Sequence, residues 1–106
     1  MPNSTGQLTH CVFFALKDNT PENCQTLVDE CNTYLSRPGG VVSMHVGIRD
    51  IELDREVNDS DFDVSLVVVF ENRQTHDVYQ DHPEHVAFIE RNKETWRNVR
   101  VFDAIV

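Results

Sequence analysis

Apolar residues recur along the chain in two rhythms, and the switches between them mark out its elements. Residues 8–16, LTHCVFFAL, are apolar on both faces of an extended segment and read as a buried strand. KDNTPE follows, with Thr20 as N-cap, Pro21 at the first helical position and Glu22 in the first turn. Cys24, Leu27, Val28, Cys31 and Leu35 then repeat at helical spacing, which predicts a helix over 21–36. Arg37-Pro38-Gly39-Gly40 stops it. Residues 41–48 return to alternation, with Val42, Met44, Val46 and Ile48 on one face and Ser43, His45 and Gly47 on the other. The stretch 51–61, IELDREVNDSD, is acidic and irregular, so it reads as a solvated loop or arm. In residues 62–70, Phe62, Val64, Leu66, Val68 and Phe70 make an unbroken apolar face. A short helix over 72–79, a longer one over 83–96 and a strand over 98–106 complete the chain.

The order β-α-β-β-α-β is the ferredoxin-like pattern, an α+β fold with a four-stranded antiparallel sheet and helices on one side. The helix-facing side should carry His10, Val12 and Phe14; Val42, Met44 and Val46; Val64, Leu66 and Val68; and Val99 and Val101. The other face should be polar if it meets water. It is only half so: Phe13, Ala15, Val67, Val69, Phe102 and Ala104 sit among Cys11, Ser43, His45, Asp63 and Ser65. A contiguous apolar patch across a sheet predicts a second subunit packed face to face, so the expected partner is a second copy in a two-fold homodimer.

The 106 residues fit one domain, residues 8–106, after a short N-terminal extension, residues 1–7. A formal net charge of −9 sets the chain against phosphate backbones and anionic membrane surfaces, so neither nucleic acid nor membrane is expected as a partner. With no apolar run long enough to span a bilayer and no secretory start, a cytoplasmic location is expected. Three cysteines make an odd set; Cys24 and Cys31 share a helix face but lie about 10 Å apart along the axis, too far to bridge. Reduced, buried thiols are expected.

The chemistry concentrates in VYQDHPEHVAF, residues 78–88. With Pro83 opening a helix, His82 caps it and His85 falls in the first turn, on one stripe with Phe88, Ile89, Asn92 and Trp96. That stripe should face the sheet. Burial and the electropositive helix start both favour a neutral imidazole at His85. Tyr79 and the inward-facing His10 can reach the same space, giving a small apolar pocket with a few convergent polar groups. Two readings of His85 stand side by side: a locked helix start, or a group that handles a ligand or a proton. His76 and Asp77 are expected to be exposed. His82 and His85 could chelate, but no third metal ligand at a recognisable spacing follows them, so no metal and no cofactor are expected. No serine or cysteine sits in a nucleophile turn.

Several motifs occur together in a familiar order. They are His10-x-Val12-x-Phe14, Phe62-Asp63, Val68-x-Phe70-Glu71, Tyr79-x-x-His82-Pro83-x-His85 and Val101-Phe102-Asp103. In this the chain resembles the stress-responsive dimeric α+β barrel (Dabb) family, over about residues 8–105. The resemblance implies a ferredoxin-like homodimer whose two sheets form one barrel, most members having no assigned activity. Plant members that are polyketide cyclases use a tyrosine and a histidine at positions matching Tyr79 and His85, with a first-strand histidine matching His10. A further pocket histidine of theirs falls near Val64, where this chain departs from the pattern. The expected function is a homodimer binding a small apolar or aromatic molecule through His10, Val12, Phe14, Val64, Leu66, Phe88 and Trp96. The alternative is a cofactor-free enzyme, cyclase-like or quinol-monooxygenase-like, with His85 as base and Tyr79 as its partner.

Overall fold

The computed structural model describes residues 6–36 and 38–106; residues 1–5 of the expected N-terminal extension and Arg37 of the expected helix stop lie outside them. The elements are β1 (Leu8–Leu16), α1 (Pro21–Tyr34), β2 (Val41–Ile48), β3 (Val64–Phe70), α2 (Arg73–Asp81), α3 (Pro83–Asn92), a single 3-10 turn (Lys93–Thr95) and β4 (Trp96–Ile105). The four strands form one antiparallel sheet in the order β2-β3-β1-β4, and the helices cover one of its faces. This is the ferredoxin-like arrangement.

Local chemistry explains each helix start. The Thr20 hydroxyl accepts from the Asn23 N–H at 3.2 Å, ahead of Pro21. Asn72 and Thr75 form a reciprocal box at the start of α2. The His82 Nδ1 accepts from the Glu84 N–H at 3.1 Å, so this histidine caps α3 as expected. Between Pro38 and β2, Gly40 takes φ +85, and its carbonyl accepts from the Glu71 N–H at 3.0 Å. Only glycine fits there: an added Cβ would lie 2.6 Å from the Thr75 Cβ in the first turn of α2.

The core between sheet and helices is built from Val12, Phe14, Val64, Leu66, Val68 and Phe70 below and from Leu27, Cys31, Leu35, Tyr79 and Phe88 above. Cys24 and Cys31 are buried free thiols and Cys11 a half-buried one. Burial pushes the Cys31 thiol up to about 12. Among the described residues no helix is long and apolar enough to cross a membrane.

Four sequence expectations need correction. The strand pairing slips between Val41 and Ser43, a bulge that brings Val41 onto the core face and leaves Val42 51 % exposed. Phe62 does not continue the apolar face of β3; its ring lies 5.2 Å from that of Phe13 on the open side of the sheet. Asp63 turns to the end of β1, where its carboxylate accepts from the Leu16 N–H at 2.8 Å and the Asn19 amide at 3.1 Å. Trp96 is the first residue of β4, not the last of α3, because the helix stops at Asn92. Asn92 is buried there, donating to the Phe88 carbonyl at 2.9 Å and to Glu30 at 3.1 Å.

The acidic stretch is a loop, with Ile51, Leu53 and Val57 all exposed. It is tied to β4 by two ion pairs, Arg97–Asp61 and Arg100–Asp59. On the open face of the sheet Phe13, Val67 and Val69 are half-buried and Phe102 is 55 % exposed, while Ala15 is fully covered.

Candidate functional site: a cavity at the junction of two helices

The end of α2 and the start of α3 are joined through a single residue, His82, in extended conformation. Its N–H donates to the Tyr79 carbonyl at 3.1 Å, and its own carbonyl accepts from the Val86 N–H at 3.0 Å. This sharp junction turns the first turn of α3 back over α2. His85 therefore reaches the Gln80 carbonyl, with Nδ1 3.1 Å away. A carbonyl only accepts, so Nδ1 carries the hydrogen and the neutral ring keeps Nε2 as its acceptor.

Below this junction lies a cavity of about 160 Å³. His10, Val12, Phe14 and Leu66 supply its floor, Tyr79, His85 and Phe88 its helical wall, and Trp96 its flank. The structure thus brings together every residue singled out from the sequence except Val64, which is buried in the core and does not line the cavity. Gln80, Leu35, Ile89, Val99 and Val101 complete it. Val101, on β4, is half exposed.

The walls are a mixture of aromatic and aliphatic side chains. The Phe14 ring lies 5.0 Å from that of Trp96 and 6.2 Å from that of Phe88. Tyr79 sits between Phe70 and His85, 4.8 Å from each. Against this apolar lining two polar atoms are conspicuous. The Tyr79 hydroxyl and the Trp96 Nε1 are both buried, and neither meets a hydrogen-bond partner among the described residues. Such groups are costly to leave unsatisfied, on the order of 1–3 kcal/mol each.

Burial favours the neutral forms of His85 and Tyr79. Burial lowers the affinity of His85 for a proton, and nearby His10 and His76 act in the same sense. The Gln80 carbonyl and Asp81 oppose them without reversing the direction. Burial likewise pushes the Tyr79 phenol well above its ordinary range, with Cys31 adding to the effect. Tyr79 therefore offers a hydroxyl and His85 an imidazole.

His10 is 5 % exposed, and its Nδ1 lies 2.5 Å from Asp103 Oδ1 on the neighbouring strand, where the two residues are register partners. His76 is not exposed as expected: its ring packs 5.2 Å from that of His10 and 5.4 Å from that of Phe70. Its position at the fourth residue of α2 turns it onto the sheet, just as Tyr79 is turned one helical step later.

The family model of the stress responsive A/B barrel domain matches residues 8–106. The chain belongs to this family. The stress responsive A/B barrel chain is also similar in structure to several solved proteins. One is a Dabb family protein with a ferredoxin-like fold from Mesorhizobium loti, 23 % identical, with a TM-score of 0.78 over 95 % of this chain and 97 % of that one. Another is a dimeric ferredoxin-like protein of unknown function from Thermobifida fusca, 16 % identical, with a TM-score of 0.76 over 94 % and 91 %. A third is a hydroxynitrile lyase from Passiflora edulis, 13 % identical, with a TM-score of 0.78 over 96 % and 94 %. At these identities the likeness is one of fold. No curated protein sequence matches the chain.

Proposed function

We propose that this A/B barrel protein is a homodimer that binds a small, mostly apolar molecule of about one aromatic ring, bearing a hydroxyl or carbonyl group. The observation that carries this reading is a pair of buried polar atoms without a partner among the described residues, Tyr79 Oη and Trp96 Nε1, on residues that line one apolar cavity. A ligand oxygen can accept from either, and a ligand hydroxyl can donate to His85 Nε2. The size follows from volume: a cavity of about 150 Å³ takes one benzene ring, and this one has about 160 Å³.

Dimerisation through the open sheet face is supported by its aromatic cluster. Phe13 contacts both Phe62 and Phe102 there, at 5.2 and 5.8 Å between ring centroids. It is also supported by the dimeric state of the Thermobifida fusca protein of the same fold.

The test is a titration with phenol, acetophenone and toluene, followed by the NMR signal of the indole N–H of Trp96, the chain's one tryptophan. Phenol or acetophenone should shift it saturably and more strongly than toluene, and Tyr79→Phe should weaken that binding. If none of the three gives a saturable shift, the reading fails.

A second reading is favoured by one specific observation: Nδ1–H of His85 is fixed on the Gln80 carbonyl and burial favours the neutral ring, which leaves Nε2 as the acceptor. In that state it can take a proton from the carbon next to a bound carbonyl, while the neighbouring Tyr79 donates to the enolate oxygen. Returning the proton to carbon closes the cycle without a cofactor. The fold accommodates enzymes, since the Passiflora edulis relative is a hydroxynitrile lyase. Deuterium uptake at the methyl group of acetophenone, lost in His85→Gln, would establish this activity; uptake no faster than in buffer would exclude it for this substrate.

A further inference from the structure

Beside the Tyr79 cavity, and sharing His10 with it, is a second group of side chains. His10, His76 and Asp103 each offer one ligand atom, and these atoms all lie within 4.8 Å of one another. We propose that the three bind a divalent transition-metal ion, with Zn²⁺ the best chemical fit.

The donor set is two imidazoles and one carboxylate, the combination that zinc uses in open sites with three protein ligands and a free position. The spacing is close to what such an ion needs. Ligands held about 2.1 Å from one tetrahedral ion sit roughly 3.4 Å apart. Rotation of the exposed Asp103 side chain is enough to open its contact with His10 and admit an ion, because the two strands already place these residues directly opposite each other.

His76 is prepared in the way metal-binding histidines usually are. Its Nδ1–H donates to the Asp77 carboxylate at 3.0 Å. This fixes the ring and leaves Nε2 without a hydrogen, accepting weakly from the Gln80 amide at 3.4 Å. A carboxylate behind the imidazole is the common outer partner of a zinc-bound histidine. The ring's orientation is further held by edge-on packing with His10 and Phe70.

The free position has room. A cavity of about 380 Å³ is lined by Leu8, Arg73, His76, Asp103, Ala104 and Ile105. Water or an oxygen ligand can reach an ion from this side, and the Arg73 guanidinium sits where it can face an anionic one. The net charge of −9 favours accumulation of cations near the protein. A purely structural account treats His10–Asp103 as a strand-to-strand hydrogen bond and His76 as packing on His10 and Phe70, and predicts no metal affinity.

The experiment is calorimetric titration of the reduced, full-length protein with Zn²⁺, repeated with Co²⁺ to read ligand-field absorption. One ion per chain is expected. His76→Ala and Asp103→Asn should each weaken Zn²⁺ binding by ten-fold or more. His82→Asn, which keeps a capping side chain on a histidine outside the cluster, should leave it unchanged. In the unmutated protein the ring signals of His10 and His76 should move with Zn²⁺ while those of His45 stay in place, which keeps the test decisive if a variant folds poorly. Absence of saturable binding, equal affinity in the wild type and both cluster variants, or movement of His45 instead of His10 and His76 would each overturn the proposal.

Discussion

The rings of Tyr79 and His85 lie 4.8 Å apart at an interplanar angle of 55°. The pair brings a hydroxyl that meets no hydrogen-bond partner among the described residues together with an imidazole whose one hydrogen is already committed to Gln80. Each lacks what a small oxygen-bearing ligand would supply.

Tyr79→Phe separates binding from folding. Removing an unsatisfied buried hydroxyl should leave stability unchanged or raise it by about 1 kcal/mol, which corresponds to a Tm higher by roughly 4–8 °C in a chain of this size. The same change should weaken phenol binding by about ten-fold. Thermal unfolding and the titration of the Trp96 signal measure the two effects. A loss of about 2 kcal/mol in the variant would show that ordered water satisfies the hydroxyl in the free protein.

His85 gives the fold a pH dependence of known sign. Its proton affinity is lowered in the folded state from an ordinary 6.5, chiefly by burial. On acidification the unfolded chain therefore takes up this proton first, and stability falls. The contribution of neutral His85 is complete above the ordinary value and is lost as pH drops towards the folded one. The groups facing the ring are His10, His76, Asp81 and the Gln80 carbonyl, and the balance among them already includes the opposing ones. Urea midpoints compared at about pH 7.5 and about pH 5.5 should fall more steeply for the wild type than for His85→Gln. Parallel slopes would assign the effect elsewhere.

Phe13→Asp should convert the dimer to a monomer. Phe13 sits between Phe62 and Phe102 on the open face, and a carboxylate there would face its own copy across the two-fold axis. Sedimentation equilibrium at micromolar concentration reads the mass directly; an unchanged mass would refute the face-to-face arrangement.

Adjacent glycines should differ sharply. Gly40→Ala forces a side chain into φ +85 and against Thr75, at a cost of about 1–3 kcal/mol from the backbone alone. Gly39→Ala meets nothing within 4 Å and should stay within about 0.5 kcal/mol of the wild type. Denaturant unfolding of the two variants side by side is sufficient.

Much of this architecture was legible in the chain because its signals are local. Thr20-Pro21 and His82-Pro83 announce helices, and the alternation from Val64 to Phe70 announces a central strand. The cavity residues were legible for the same reason, since strand parity gives His10, Val12 and Phe14 and helical spacing gives His85 and Phe88. What alternation cannot show is a change of phase. The bulge after Val41 reverses which side chains face inward, and nothing in VVS marks it. The end of α3 was misplaced because Trp96 continues the apolar stripe by chance of spacing while its backbone has already become extended. The cluster of His10, His76 and Asp103 was invisible because its members lie up to 93 positions apart. Only the register of β1 on β4 and the seating of α2 bring them together.

Gln80 touches both imidazoles at once. Its carbonyl holds His85 and its amide reaches His76, so one side chain and its own backbone span the space between the cavity and the cluster. An ion taking the Nε2 of His76 would displace that amide, and Gln80 also lines the cavity. Through Gln80, filling one place would bear on the other. Whatever factor Zn²⁺ imposes on the affinity for phenol, phenol must impose on the affinity for Zn²⁺.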